Sequence, residues 1–189
     1  MQIPRHAAAS IVGVVLAGGR GARMGGVDKG WVAWEGRPLI EHVLGRLRPQ
    51  VERVLVSANR NLDRYRALAG EVVSDDAARW GEYAGPLAGM LAALVRAPLP
   101  WCAFVPCDAP LLDTALVARL AGAGDGRPAV ARCAGRMQPV FCLLPGTLAP
   151  VLERALEAGE RRPQDFLAQI GAVEVDFEHE AAFINVNRP

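Results

Sequence analysis

A glycine run, two cations and one rigidly framed carboxylate hold most of the chemistry open to this 189-residue chain. Residues 16–30 read Leu16-Ala17-Gly18-Gly19-Arg20-Gly21-Ala22-Arg23-Met24-Gly25-Gly26-Val27-Asp28-Lys29-Gly30, six glycines in fifteen positions. Glycines let backbone N–H groups approach and point at anionic oxygens. Arg23 and Lys29 add fixed positive charge, so a phosphate-bearing ligand is the natural guest. A solvated surface turn could share this composition. It would not need to be long, doubly basic and seated after a buried strand. Two common phosphate motifs fail. G-x-G-x-x-G begun at Gly19 needs glycine at Met24, and the Walker pattern needs G-K-[ST] where the chain has Asp28-Lys29-Gly30.

Lys29 is singular in composition. Of 21 basic residues, 20 are Arg and one is Lys. An ammonium is a compact point charge, whereas a guanidinium is a wide planar fork. A lone lysine at the glycine run implies that a small cation is needed there.

Asp108 sits in Pro106-Cys107-Asp108-Ala109-Pro110. Two flanking prolines make a rigid turn. A carboxylate held there beside phosphates suits Mg²⁺, which binds through one or two carboxylates plus substrate oxygens. Asp108 could instead cap the next helix, but Asp113 is the better-placed cap. Asn185 and Asn187 are two of only four asparagines. On a strand they would share one face and could bond a polar ligand; taken alone they read as turn formers before Arg188-Pro189. Arg161 and Arg162 read first as a solvated helix end and could also reach an anionic substrate. His42 and Trp34 read as packing or solvent-facing residues. Cys107 adjoins the carboxylate, yet hard Mg²⁺ does not favour thiolate.

These residues must be positioned by the elements between them. Residues 11–17 read as a buried strand ending at the glycine run. Pro38 opens a helix through Leu47, which Pro49 closes. Arg53–Ser57 and Glu71–Val73 read as strands, Pro86–Val95 as a helix and Trp101–Val105 as a fully apolar strand. A helix is expected over Leu112–Leu120, then strands at Val130 and Val140–Leu144 with a turn near Gly135. Helices follow at Leu148–Leu156 and Gln164–Ile170, and strands at Val173–Val175 and Phe183–Val186. This alternation gives βαβ units, an α/β fold and a mainly parallel sheet. Ligands of such sheets bind beyond the carboxyl ends of the strands, where the glycine run and Asp108 fall.

Composition excludes several classes. The hydrophobic fraction is 51%, against 22% charged, which excludes disorder. A net charge of +1 gives no general grip on nucleic acid. No apolar run approaches the roughly 18 residues of a membrane span. Arg5 and His6 before Ala7–Ala17 resemble a secretory signal, but the same stretch reads as a strand entering a glycine turn. Residues 1–10 are expected to be a loose leader and 11–189 one domain. Four cysteines without a C-x-x-C pair, with three scattered histidines, leave little for zinc. Free thiols point to a reducing cytoplasm.

The run L-A-G-G-x-x-x-R-M-G-G-x-D-K resembles the signature loop of the molybdenum cofactor guanylyltransferase family. The similarity continues through Gly85-Pro86-Leu87-Ala88-Gly89, Pro106-Cys107-Asp108, Gly159-Glu160-Arg161-Arg162 and Phe183-Ile184-Asn185-Val186-Asn187. It spans nearly the whole chain in order. The resemblance implies GMP transfer from GTP to Mo-molybdopterin, with Mg²⁺, in a Rossmann-like three-layer nucleotidyltransferase fold. It implies that Leu16, Ala17, Gly18 and Gly19 line the GTP site. Arg23 and Lys29 would meet the phosphates, Asp75 the nucleoside, and Asp108 would hold Mg²⁺. Gly85 and Gly89 would allow close approach to the nucleotide. Arg161 or Arg162, Asn185 and Asn187 would serve the pterin. Transient contact with proteins that deliver the pterin or receive the product is also expected. Ser57 stands where the family often has a nucleotide-contacting Asn. The rivals are a cytidylyl or sugar-phosphate transferase of the same superfamily, and a non-catalytic nucleotide-binding module.

Overall fold

The first strand, β1 (Ile11–Leu16), is apolar throughout apart from Gly13. Ile11 and Val15 enter one buried core, and Val12 and Val14 enter another. A strand without a polar face must lie inside a sheet covered on both sides. The computed structural model, described here for residues 11–19, 27–82, 84–97 and 100–186, has that arrangement.

After β1 come a short hairpin, β2 (Ala33–Trp34) and β3 (Arg37–Pro38), then α1 (Leu39–Leu47), β4 (Arg53–Ser57), α2 (Leu62–Ala69) and β5 (Glu71–Val73). The chain continues through α3 (Ala77–Trp80), α4 (Pro86–Arg96), β6 (Trp101–Pro106), α5 (Leu116–Gly124), β7 (Ala129–Cys133) and β8 (Arg136–Pro145). It then forms α6 (Ala149–Glu157), α7 (Pro163–Gln169) and β9 (Val173–Phe177). Seven strands make the main sheet in the order β5-β4-β1-β6-β8-β7-β9. Only β8 runs antiparallel to its neighbours; the other pairings are parallel.

Helices α1, α2 and α5 cover one face. Ile40, Val43, Leu44 and Leu47 of α1 meet Tyr65 of α2 and Leu116, Val117 and Leu120 of α5 in one core. Helices α4, α6 and α7 cover the other, through Leu87, Met90, Leu94, Leu152, Leu156, Phe166 and Leu167. The buried positions of α1 recur at helical spacing, which explains why that helix was plain in the sequence. From β1 the chain steps outward to β4 and β5, then returns past β1 to β6. The order reverses between β1 and β6, and the crevice at their carboxyl ends is where such sheets bind ligands.

Two expected elements differ. The helix expected from Leu112 begins at Leu116. Leu112 is fully buried within the preceding turn, so its apolar character extended the pattern too early. The Asp113 carboxylate closes that turn by accepting the Ala115 N–H at 2.7 Å. The strand expected over Phe183–Val186 is absent. Glu180–Phe183 forms a 3₁₀ turn, and Phe183 packs edge-on against Phe141 and Phe177 at 4.9 and 5.3 Å. Burial of that ring, rather than sheet pairing, accounts for the apolar run.

All four cysteines are buried free thiols. Burial pushes the Cys102 thiol up to about 12 and raises that of Cys107 further, so both stay protonated. No helix among the described residues is long and apolar enough to cross a membrane. The leader expected at 1–10 lies outside the described residues.

Candidate active site

Backbone hydrogen bonds extend the sheet one residue past its strands. Ala17 N–H donates to the Ser57 carbonyl (2.7 Å), Ala58 N–H to that of Val73 (2.9 Å) and Cys107 N–H to that of Leu16 (3.1 Å). The segments after β1, β4 and β6 therefore leave from one fixed rim.

Asp108 stands on this rim, only 6% exposed. Its Oδ2 accepts from Lys29 Nζ at 3.1 Å. Its backbone carbonyl accepts the Val186 N–H at 2.8 Å, which draws the last described residues to the site. A buried carboxylate without a cation would cost several kcal/mol (about the effective desolvation penalty for one ion). Lys29 supplies the balancing charge from 79 residues away in sequence.

Lys29 is aimed by its neighbour. Asp28, itself buried, accepts from the Tyr65 hydroxyl at 2.5 Å, from Asn61 Nδ2 at 2.8 Å and from Gly30 N–H at 3.3 Å. Arg60 Nε lies 3.9 Å from the same carboxylate. Burial, and then the bond to Asp28, push the Tyr65 hydroxyl well above its ordinary range, so it is a permanent donor. Trp31 stacks on Tyr65 with ring centroids 5.0 Å apart. Gly30 is required for this closeness: a Cβ there would stand 2.5 Å from the tyrosine oxygen. The aspartate of D-K is thus a structural anchor that fixes the backbone carrying Lys29. Arg60 adds a clasp, its Nη2 donating to the Gly19 and Val27 carbonyls at 3.1 Å each.

The expected site residues are distributed as follows. Leu16, Ala17, Gly18 and Gly19 leave β1 directly onto the rim. Arg23 and Asn187 lie outside the described residues. Asp75 lies beside Asn59, whose Oδ1 accepts the Asp75 N–H at 3.2 Å. One Asp75 carboxylate oxygen is buried without a hydrogen-bond partner among the described residues. Asn185 precedes Val186, the residue bonded to Asp108, and is not on a strand; the face it was expected to share with Asn187 reaches outside the described residues.

Ser57 and Gly89 are placed differently from the expectation. Ser57 is 2% exposed, covered by α4. A Cβ at Gly89 would come 2.6 Å from Ser57 Oγ, so the close approach that Gly89 permits is between helix and strand. Neither side presents itself to a ligand. Gly85 caps α4 next to the Arg161 carbonyl, which would lie 3.6 Å from a Cβ there. The Arg161 guanidinium is turned back onto the Leu156 and Glu160 carbonyls at 2.8 and 2.7 Å. Arg162 lies 3.4 Å from Asp165. The N–H groups of Arg162 and Arg161 both bind the Glu160 carboxylate and hold its pKa down. This turn is rigid, and it brings two arginines near the start of α4.

Asp28, Asn59, Arg60 and Tyr65 were not foreseen. A signal existed: Asn59 and Asn61 are the other two asparagines, in a polar cluster directly after β4. Helix α2 buries only Tyr65, so its periodicity is faint and Tyr65 could not be placed from sequence.

Among the described residues no three His, Cys, Asp or Glu side chains converge on a cation site. Asp108 nonetheless offers a hard oxygen, and a cation there would take its remaining ligands from phosphates and water. The assembled groups can neutralise and orient phosphate oxygens. His42 is engaged with the Trp34 carbonyl at 2.9 Å and Arg37 at 3.4 Å, in the hairpin region rather than on the rim.

Residues 13–175 match the model of the MobA-like NTP transferase domain. The molybdenum cofactor guanylyltransferase of Pseudomonas aeruginosa is 43% identical over 180 residues, covering 93% of this chain and 89% of that protein. The crystal structure of molybdopterin-guanine dinucleotide biosynthesis protein A from Archaeoglobus fulgidus superposes with a TM-score of 0.71 at 25% identity, over 95% of this chain and 93% of that one. A Mycobacterium tuberculosis protein solved in complex with manganese shares the fold, with a TM-score of 0.66 at 17% identity over 90% of each chain.

Proposed function

Because the chain belongs to the molybdenum cofactor guanylyltransferase family of MobA-like nucleotidyltransferases, we propose that its rim joins GMP from GTP to Mo-molybdopterin. The pterin phosphate oxygen attacks the α-phosphorus, the bond from α-phosphorus to the bridging oxygen breaks, and pyrophosphate leaves. The attacking phosphate is already anionic near neutral pH, so no strong general base is required. The rim fits this, since its titratable pair is a carboxylate held against an ammonium.

Leu16 to Gly19 line the GTP site, with backbone N–H groups toward the phosphates. Lys29, and Arg23 from the same segment, take the phosphate charge. Asp75 meets the nucleoside and Asp108 holds a divalent metal, Mg²⁺ on this reading. When bound, that ion neutralises charge shared between the α-phosphate and the leaving pyrophosphate. Asp108 suits it as a hard oxygen donor at the strand ends; the protonated Cys107 thiol does not compete. Ser57 and Gly89 act from beneath, fixing α4 on β4. Arg161, Arg162, Asn185 and Asn187 serve the pterin. The Lys29–Asp108 contact at the reversal of strand order carries the proposal. Residues 11–189 act as one domain, in the cytoplasm, with transient contacts to proteins that supply the pterin or take the dinucleotide.

The test is turnover with Mo-molybdopterin, Mg²⁺ and each of GTP, ATP and CTP. Pyrophosphate release with GMP transfer is expected from GTP alone. Equal turnover of CTP would overturn the guanylyl assignment, and binding without pyrophosphate would indicate a non-catalytic module.

Arg60 gives a second expectation. Its Nη2 bridges two carbonyls at the described ends of the glycine run. Arg60→Ala is expected to raise the KM for GTP about tenfold, the scale of one lost charge-assisted hydrogen bond, with little change in melting temperature. Arg60→Lys keeps the charge but loses the reach and planar geometry of the Nη2 group and should recover only part of the loss. An unchanged KM in Arg60→Ala would show that the segment holds its position without the clasp.

A further inference from the structure

We infer that Asn59 is a specificity-determining residue that reads the 6-oxo group of the guanine base, with the adjacent Asp75 carboxylate as its complement. The inference rests on the GTP reading above and deepens it. Three observations carry it.

The orientation of the Asn59 amide is fixed by chemistry. Asp75 N–H can only donate, so the group facing it at 3.2 Å must be the Asn59 oxygen. The amide nitrogen then points the other way. It lies against Gly18, 3.4 Å from where a Cβ on that glycine would stand. Asn59 thus presents two N–H donors over the segment that follows β1, and its own side chain is exposed.

The partner group is an acceptor in want of a donor. One Asp75 carboxylate oxygen is buried and has no hydrogen-bond partner among the described residues. A buried acceptor left in this way is costly unless something supplies an N–H. The turn bearing Asp75 is also tied to β4, since the Ser74 hydroxyl donates to the Ala58 carbonyl at 2.8 Å. Asn59 and Asp75 are therefore tied to each other on two neighbouring strand ends, with the amide N–H groups on the Gly18 side.

That order of groups, an amide donor beside a carboxylate acceptor, complements the Watson–Crick edge of guanine. Its 6-oxo group accepts, and its N1–H and 2-amino group donate. Adenine presents an amino group where Asn59 offers N–H, which sets donor against donor. Cytosine presents an amino group followed by two acceptors, which mismatches both residues. Ser57, the residue two positions earlier, cannot serve because it is buried under α4.

The experiment compares nucleotide binding by displacement of a fluorescent GTP analogue, without pterin, in wild type, Asn59→Asp and Asn59→Ser. Asn59→Asp keeps the shape and can still accept the Asp75 N–H, but it offers an acceptor in place of the donor. The probes are GTP, the triphosphate of 2,6-diaminopurine riboside, ITP and CTP. Wild type is expected to favour GTP over the diaminopurine nucleotide by tenfold to about a hundredfold, the usual range for one well-placed base contact. Asn59→Asp should narrow or invert that ratio, while the ratio of GTP to ITP, which reports on Asp75 through the 2-amino group, changes less. Asn59→Ser should lose the preference without inverting it. Equal losses for all four nucleotides would overturn the inference and make Asn59 only a brace for the Ser74–Asp75 turn. An unchanged preference in every variant would also overturn it. Wild type that binds diaminopurine, inosine and cytidine nucleotides as well as GTP would overturn the GTP reading itself.

Discussion

Asp108→Asn is expected to fold normally and to lose turnover by about 10²- to 10³-fold, the scale of removing one preorganised electrostatic group from an active site. The amide matches the carboxylate in shape and can still accept a hydrogen bond from Lys29. It cannot hold a divalent cation against phosphate oxygens. Fold retention is expected because Lys29 is 27% exposed and can turn its ammonium to water. The Val186 bond to the Asp108 backbone does not depend on the side chain. Single-turnover GMP transfer across a Mg²⁺ series, together with a thermal melt, checks this. Near wild-type rates at every Mg²⁺ concentration would remove Asp108 from the metal-holding role.

Lys29→Arg should cost on the order of a hundredfold in GMP transfer although it preserves charge. In a chain with 20 arginines, the guanidinium is the default cation. At position 29 the backbone is fixed from behind by Asp28 and Tyr65, so a longer group cannot retract. A guanidinium there would engage both Asp108 oxygens in a two-pronged pair. Asp108 would then be less free to hold a cation, and the phosphates would be displaced. A shift of about 1 Å at reacting atoms can cost about a hundredfold. Mn²⁺ binding in the presence of GTP should weaken in parallel, which separates this cause from a loss of GTP affinity. Full activity in Lys29→Arg would show that charge alone suffices at this position.

The groups proposed to meet phosphate and metal were legible in the sequence because strand-end chemistry needs unusual residues. A lone lysine, a glycine run and a proline-framed aspartate are improbable without a reason. The apolar strands and the helices with strong periodicity, such as α1 and α4, were equally plain. The supports were not. Nothing local marked the role of Asp28, because its partners, Asn61 and Tyr65, lie 33 and 37 residues on, and only folding joins them. Ser57 was expected at the nucleotide because it stands where the family often has a nucleotide-contacting Asn. Its burial follows from the packing of Gly89 above it, a tertiary fact with no local signature. Phe183–Val186 had strand composition, but ring burial against Phe141 and Phe177 set its path.

The hydrogen bond from Val186 to Asp108 bears on when the enzyme comes into being during synthesis. It ties the far end of the described chain to the carboxylate at its centre, beside a rim begun by β1. A nascent chain on the ribosome can lay down β1, β4 and β6 and bury much of one core, yet the side of the rim beside Asp108 stays open. That side closes only after residues 109–186 have been translated and β7, β8 and β9 have paired. Contacts of such long sequence separation form late. This closure thus waits on translation through Val186, and a fragment released before residue 186 lacks it however well its first strands have folded.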